Sequence, residues 1–78
     1  MNHYHNATMA LAALMANSPE RIAANDPGFN GVQGTAYLAE DSDGNTIIAD
    51  FYNGGNNVHV EVWYADGDGT HASWELAY

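Results

Sequence analysis

Three short connectors built from Gly, Asn and Asp punctuate the second half of the chain. They are 41–45 (Asp-Ser-Asp-Gly-Asn), 53–56 (Asn-Gly-Gly-Asn) and 66–69 (Asp-Gly-Asp-Gly). Gly reaches positive φ without steric cost, and Asn and Asp side chains bond their own backbone, so such clusters reverse the chain. Between them lie runs of β-branched and aromatic residues that alternate with period two, as half-buried strands do. Connectors this short join neighbouring antiparallel strands as hairpins. The pattern predicts strands over Val32–Glu40, Thr46–Tyr52, Val58–Ala65 and Thr70–Tyr78, ordered as a four-stranded antiparallel meander.

Alternation assigns the two faces. Val58, Val60, Val62 and Tyr64 share a side, as do Ala72, Trp74, Leu76 and Tyr78, and as do Ile47, Ala49 and Phe51. In the first strand Ala36 and Leu38 are expected on that apolar side, opposed by Thr35 and Tyr37. The other face is expected to hold Tyr37, Asp50, Tyr52, His59, Glu61, Trp63, His71 and Glu75.

Residues before about 28 are rich in Ala and Met and contrast with the Gly-, Asn- and Asp-rich remainder of the chain. Asn6–Asn17 has no Gly or Pro and is dominated by good helix formers. Asn2 or Asn6 suits its N-cap, and Leu11, Leu14 and Met15, with Ala7 and Ala10, are expected to form its apolar face. Ser18-Pro19-Glu20 is a second helix-start signal, with Ser at the cap, Pro at the first position and an acid in the first turn. It predicts a break near Asn17–Pro19 and a short helix over Pro19–Ala24 that buries Ile22. Asn25-Asp26-Pro27-Gly28 then turns the chain. The expectation is a single α+β domain over 1–78, helical over 1–27 and sheet over 28–78, with the helix packed on the apolar side of the sheet.

Seventy-eight residues leave room for one core. There is no cysteine, so neither a disulfide nor a thiolate is available, which favours a reducing compartment. Met1–Tyr4 lacks the basic residues of a secretory leader, and Ala10–Ala16 falls well short of the roughly 20 apolar residues of a membrane span. A soluble protein of a reducing cytoplasm is therefore expected.

Ten acidic residues stand against one base, Arg21, for a formal net charge of −9. Yet charged residues are only 14% of the chain, against about 25% in ordinary soluble domains. The imbalance reflects missing Lys more than abundant acid. Disorder through charge is countered by 46% hydrophobic and 12% aromatic content. Acidic bias also serves solubility or high-salt adaptation. A near-total lack of Lys, however, fits a surface that a basic partner must approach.

Two places gather the candidate residues. In a meander the first and third connectors lie at the same sheet end, about 10 Å apart given two strand spacings. That sets Glu40, Asp41 and Asp43 beside Asp66 and Asp68, a rim with charge density like that of a phosphate chain. Asp also favours turns for backbone reasons alone. The second place is the open face. Trp63 flanked by Tyr37 and Tyr52, with Asp50, Glu61 and Glu75 around them, has the composition of a protein-binding hot spot. Cross-strand aromatic pairing for stability is the competing reading.

Other chemistries have less support. The connectors resemble calcium loops in their first residues, but the EF-hand needs Gly at position 6 and Glu at position 12. Counting from Asp41 these are Thr46 and Tyr52, and counting from Asp66 they are His71 and Ala77. His59, Glu61 and His71 share a face without a spacing that demands zinc. No metal site and no cofactor are expected. There is no nucleophile elbow, phosphate loop or Lys for Schiff-base work. A glycosidase-like pair among Asp50, Glu61 and Glu75 would have little cleft in so small a sheet. An enzyme is not expected.

Small size, no cysteine, strong acid bias, an α+β pattern and Asp-rich turns together resemble the phage-encoded anti-CRISPR proteins and other nucleic-acid mimics, as a class and without a diagnostic motif. The resemblance implies a stoichiometric inhibitor that occupies the basic channel of a CRISPR-Cas effector and does not itself bind nucleic acid. Glu40, Asp41, Asp43, Asp66 and Asp68 would contact Lys and Arg. Asp50, Glu61 and Glu75 would extend the charge, and Trp63 with Tyr52 would anchor. The alternative is an interaction module of the immunity-protein or antitoxin kind, binding through the aromatic face or an open strand edge. Homodimerisation through the open face is a third reading.

Overall fold

In a computed structural model of the protein, which describes residues 3–22, 35–66 and 70–77, the chain opens with one helix, α1 (Ala7–Ala16). Asn6 caps it: its backbone is extended and its side-chain oxygen accepts from the Met9 amide at 2.9 Å. At the other end Asn17 returns its amide to Leu14 O at 3.2 Å and its Nδ2 to Ala13 O at 2.6 Å. α1 buries Ala7, Ala10, Leu11 and Leu14. Met15, expected on that face, is instead 60% exposed. It follows Leu14 by about 100° of helical rotation, which takes it off the stripe centred on Ala7, Ala10 and Leu14.

The expected second helix does not form over the described part of Pro19–Ala24. Ser18 takes a positive φ of 51° and the chain turns into a strand, β1 (Glu20–Ile22). β1 pairs antiparallel with β2 (Thr35–Glu40), placing Glu20 opposite Leu38, Arg21 opposite Tyr37 and Ile22 opposite Ala36. A six-residue helix is far shorter than the length at which helices hold by themselves. The outer edge of β2 instead satisfies the backbone groups of these residues. Ala23 and Ala24, and residues 32–34 of the first expected strand, lie outside the described residues.

β3 (Thr46–Tyr52), β4 (Asn57–Trp63) and β5 (His71–Ala77) continue the sheet. Its order is β1-β2-β3-β4-β5, antiparallel throughout. The α+β architecture is therefore as expected, with five strands among the described residues rather than four. The middle connector is a 3₁₀ turn over Asn53–Gly55, where Asn53, Gly54 and Gly55 all take positive φ.

Directly opposed residues of antiparallel neighbours share a face. Ile47 and Ala49 of β3 pair with Val62 and Val60, which pair with Ala72 and Trp74. These, with Val58 and Leu76, form the floor of the core beneath α1. The same register corrects the first expected strand. Tyr37 sits opposite the fully buried Ala49, so it belongs to the helix side, edge-on to Phe51 with centroids 6.0 Å apart. Ala36 and Leu38 face the open side, opposite Asp50 and Ile48.

Candidate functional site

The first connector lies against Ala65, just before the third, whose residues 67–69 lie outside the described residues, and what holds it there is Asn45. This residue has no exposed surface. Its Oδ1 accepts from the Ala65 amide at 2.9 Å, which ties the β2–β3 turn to the end of β4. Its Nδ2 donates to Asp41 Oδ2 at 2.9 Å. Asp41 also accepts from the amides of Asp43 and Asn45, at 3.0 and 2.9 Å, and from the Tyr4 hydroxyl at 2.5 Å. Burial pushes the Asp41 carboxyl upward, but the bonds from Tyr4, Asn45 and the two amides outweigh it, and the pKa falls below the ordinary carboxylate value.

The N-terminal residues complete this end of the sheet. The Tyr4 amide donates to the Tyr64 hydroxyl at 3.0 Å. The His3 ring stacks on Tyr64 with centroids 3.8 Å apart, and its Nε2 lies 2.6 Å from Asp66 Oδ2. Burial first, then the bond to Asp41 and the charges of Asp41 and Asp43, raise the Tyr4 phenol far above its ordinary value. So the five rim carboxylates are not equivalent. Asp41 is taken up in holding the turn, and Asp66 is matched by His3. Glu40 and Asp43 are exposed, and Asp68 lies outside the described residues. Sequence reasoning missed His3, Tyr4, Asn45 and Tyr64 here. The only local signal was Asp41 four residues before Asn45, and the partners come from 20 to 63 residues away.

The open face gathers the remaining charge. Four rows cross it. Glu20, Leu38, Ile48, Glu61 and Ser73 form one; Ile22, Ala36, Asp50, His59 and Glu75 form the next; Glu40, Thr46, Trp63 and His71 form the third; Tyr52, Asn57 and Ala77 form the fourth. Five of the ten acids, Glu20, Glu40, Asp50, Glu61 and Glu75, are thus on one face. The only Lys or Arg in the chain, Arg21, stands opposite Tyr37 on the helix side.

Two histidines lie among these acids. His59 Nε2 is 3.5 Å from Glu61 Oε1, and its Nδ1 is 3.9 Å from Glu75 Oε1. His71 Nε2 is 3.2 Å from Glu61 Oε2. Glu61 therefore links His59 and His71. Trp63 is 47% exposed and stacks on His71 with centroids 4.0 Å apart. Tyr52 sits beside Glu75, and burial together with that carboxylate raises its phenol pKa. The face thus offers a flat aromatic surface at one margin and carboxylates across its width. Tyr37 is not among its aromatics.

Among the described residues, no three His, Asp or Glu side chains converge as metal ligands. An apolar hollow of about 460 Å³ opens on the helix side between Met15, Pro19, Thr35, Tyr37, Phe51 and Gly55, and these side chains supply no acid–base pair. No helix among the described residues is long and apolar enough to cross a membrane. No protein-family model, curated protein or solved structure matches the chain.

Proposed function

We propose that the chain is a stoichiometric binding protein. Its open acidic face docks on a basic, nucleic-acid-binding surface of a protein partner, in the manner of the anti-CRISPR and nucleic-acid-mimic proteins it resembles; a CRISPR-Cas effector is the partner class this implies. One observation carries the reading: five acids share a face, and the single permanent cation is on the other side. Such a face attracts Lys and Arg across its whole width, and nothing fixed on it repels them. Trp63 supplies a large apolar contact at its margin. The turn acids Asp43 and Asp66 extend the field at one end, while Asp41 acts through the shape of the turn.

The test is capture of CRISPR effector complexes from a bacterial lysate at low and at high salt. Capture by wild type should weaken steeply with ionic strength, since exposed charges are screened within about 8 Å at physiological salt. Glu40→Lys, Asp50→Lys, Glu61→Lys and Glu75→Lys combined should abolish it, with folding checked by circular dichroism. A Gln set at the same positions removes the charge with less disturbance and should weaken capture at least tenfold. Salt-independent capture that needs Trp63 alone would favour the aromatic interaction module instead.

A further inference from the structure

The two edges of the sheet differ. β1 spans three described residues and carries Arg21, so its described part is blunted by shortness and by charge. β5 is seven residues long, and every residue from His71 to Ala77 has a partner in β4, without a bulge. It contains no Pro, Gly, Lys or Arg. Short length, charged side chains (Lys above all), Pro and bulges are the usual devices that stop an edge from pairing. β5 carries one charged side chain, Glu75, and none of the other devices, and no described residue lies beyond it in the sheet.

The outward backbone groups follow from the hairpin. The Tyr64 amide donates to Thr70 O at 2.8 Å. The pair 64/70 is therefore a hydrogen-bonded one, and such pairs recur at every second position of an antiparallel ladder. Val62 with Ala72, Val60 with Trp74 and Val58 with Leu76 continue that set. The N–H and C=O groups of His71, Ser73, Glu75 and Ala77 then point away from β4. Side chains along this edge divide by face. Ala72, Trp74 and Leu76 are half-buried and carry the core to the sheet margin on the helix side. His71, Ser73 and Glu75 are exposed on the open side.

We infer that the outer edge of β5 is a docking site for an extended segment of a partner protein whose side chains alternate basic and apolar, added as a sixth strand. Added strands gain main-chain hydrogen bonds for affinity, and their alternate side chains confer specificity. Here the apolar set would cover Trp74 and Leu76 on the helix side. The basic set would stand beside Glu75, one strand further from Glu61. A second copy of this chain is the disfavoured occupant, because β5 against β5 brings together two chains of net charge −9 with a Glu75 on each. The choice of a basic segment rests on the function proposed above; the outward backbone groups do not.

The probe is a capped heptapeptide of alternating Lys and Val, titrated into ¹⁵N-labelled protein. Its control has the same composition in blocks, with equal charge and no alternation. The alternating peptide should slow amide hydrogen exchange at His71, Ser73, Glu75 and Ala77 at least tenfold, and the block peptide should not. Ser73→Pro removes one outward N–H and leaves the β4 ladder intact; it should abolish the protection while the spectrum otherwise persists. Equal effects of the two peptides, or no slowing at these amides, would overturn the edge site and leave the acidic face standing if capture still falls with charge reversal. Protection that rises with protein concentration alone would also overturn it, because the occupant would then be a second copy. Edge protection together with effector capture that is indifferent to face charge would retain the site and remove the nucleic-acid-mimic reading.

Discussion

Asn45→Ala should be the most damaging small substitution in the chain outside the apolar core. It removes the amide that bonds the ionised Asp41, at a cost of about 2 kcal/mol, and strands the Ala65 amide, at about 1–2 kcal/mol more. Asn45 is fully buried, so water does not replace either partner without a rearrangement of both turns. The stability of a chain of 78 residues is about 4–12 kcal/mol, so the loss is a large share of it. Urea unfolding followed by circular dichroism should show the midpoint falling by about 2 M at an m-value of about 1.5 kcal/mol/M. Thermal unfolding should fall by about 15–25 °C. Asn45→Asp separates the two bonds. It keeps an acceptor for Ala65 but faces a second carboxylate toward Asp41, so it should be unstable at neutral pH and recover partly as pH approaches 4. A loss below 1 kcal/mol for Asn45→Ala, or an Asn45→Asp variant indifferent to pH, would refute the assignment of Asn45 as the tie between the turns.

Asp41 has a folded pKa below its unfolded value, so its contribution is present above about pH 4 and is lost as pH falls through the folded value. Urea midpoints measured from pH 6 down to pH 2.5 should fall, and Asp41→Asn should be weaker at pH 6 and flatter across that range. Tyr4 has a folded pKa raised above its unfolded value, so stability that is constant below about pH 10 should decline as pH rises beyond it. Tyr4→Phe should remove part of that alkaline slope and cost about 1.5 kcal/mol at neutral pH through the lost bond to Asp41. Leu14→Ala should cost about 3 kcal/mol because Leu14 has no exposed surface, whereas Met15→Ala should fall within about 0.5 kcal/mol of wild type by thermal unfolding.

Turn chemistry made much of the sheet legible. Gly44, Asn53, Gly54 and Gly55 occupy positive φ, the conformation for which Gly and Asn are chosen, and β3 spans Thr46–Tyr52 as the flanking turns implied. β1 was not legible because its local signals point to a helix start. A Ser-Pro-Glu signal contributes little over three residues, and the vacant edge of β2 outweighs it. Asp41 shows a related blindness. Counting carboxylates at a turn does not say which one the backbone consumes, since the donors that occupy Asp41 include Tyr4, 37 residues away.

The position of the acidic face turned on a single parity. In β2 the sequence Thr-Ala-Tyr-Leu-Ala-Glu has apolar residues on both alternations, so its face could not be fixed by pattern. A shift of one residue exchanges every side chain between core and solvent. Placing Tyr37 outward would have turned Glu40 toward the helix. The register with β3 does the reverse: Tyr37 lies opposite buried Ala49, and Glu40 stands opposite Thr46 in the row of Trp63 and His71. With Glu20 carried in by β1, the same register adds two carboxylates to Asp50, Glu61 and Glu75. Charge reversal at Glu40 should therefore weaken partner binding with that of Glu61 and Glu75, measured by the salt dependence of capture. Charge reversal at Asp41 should instead unfold the turn. The two losses are distinguished by thermal unfolding, which the first leaves in place.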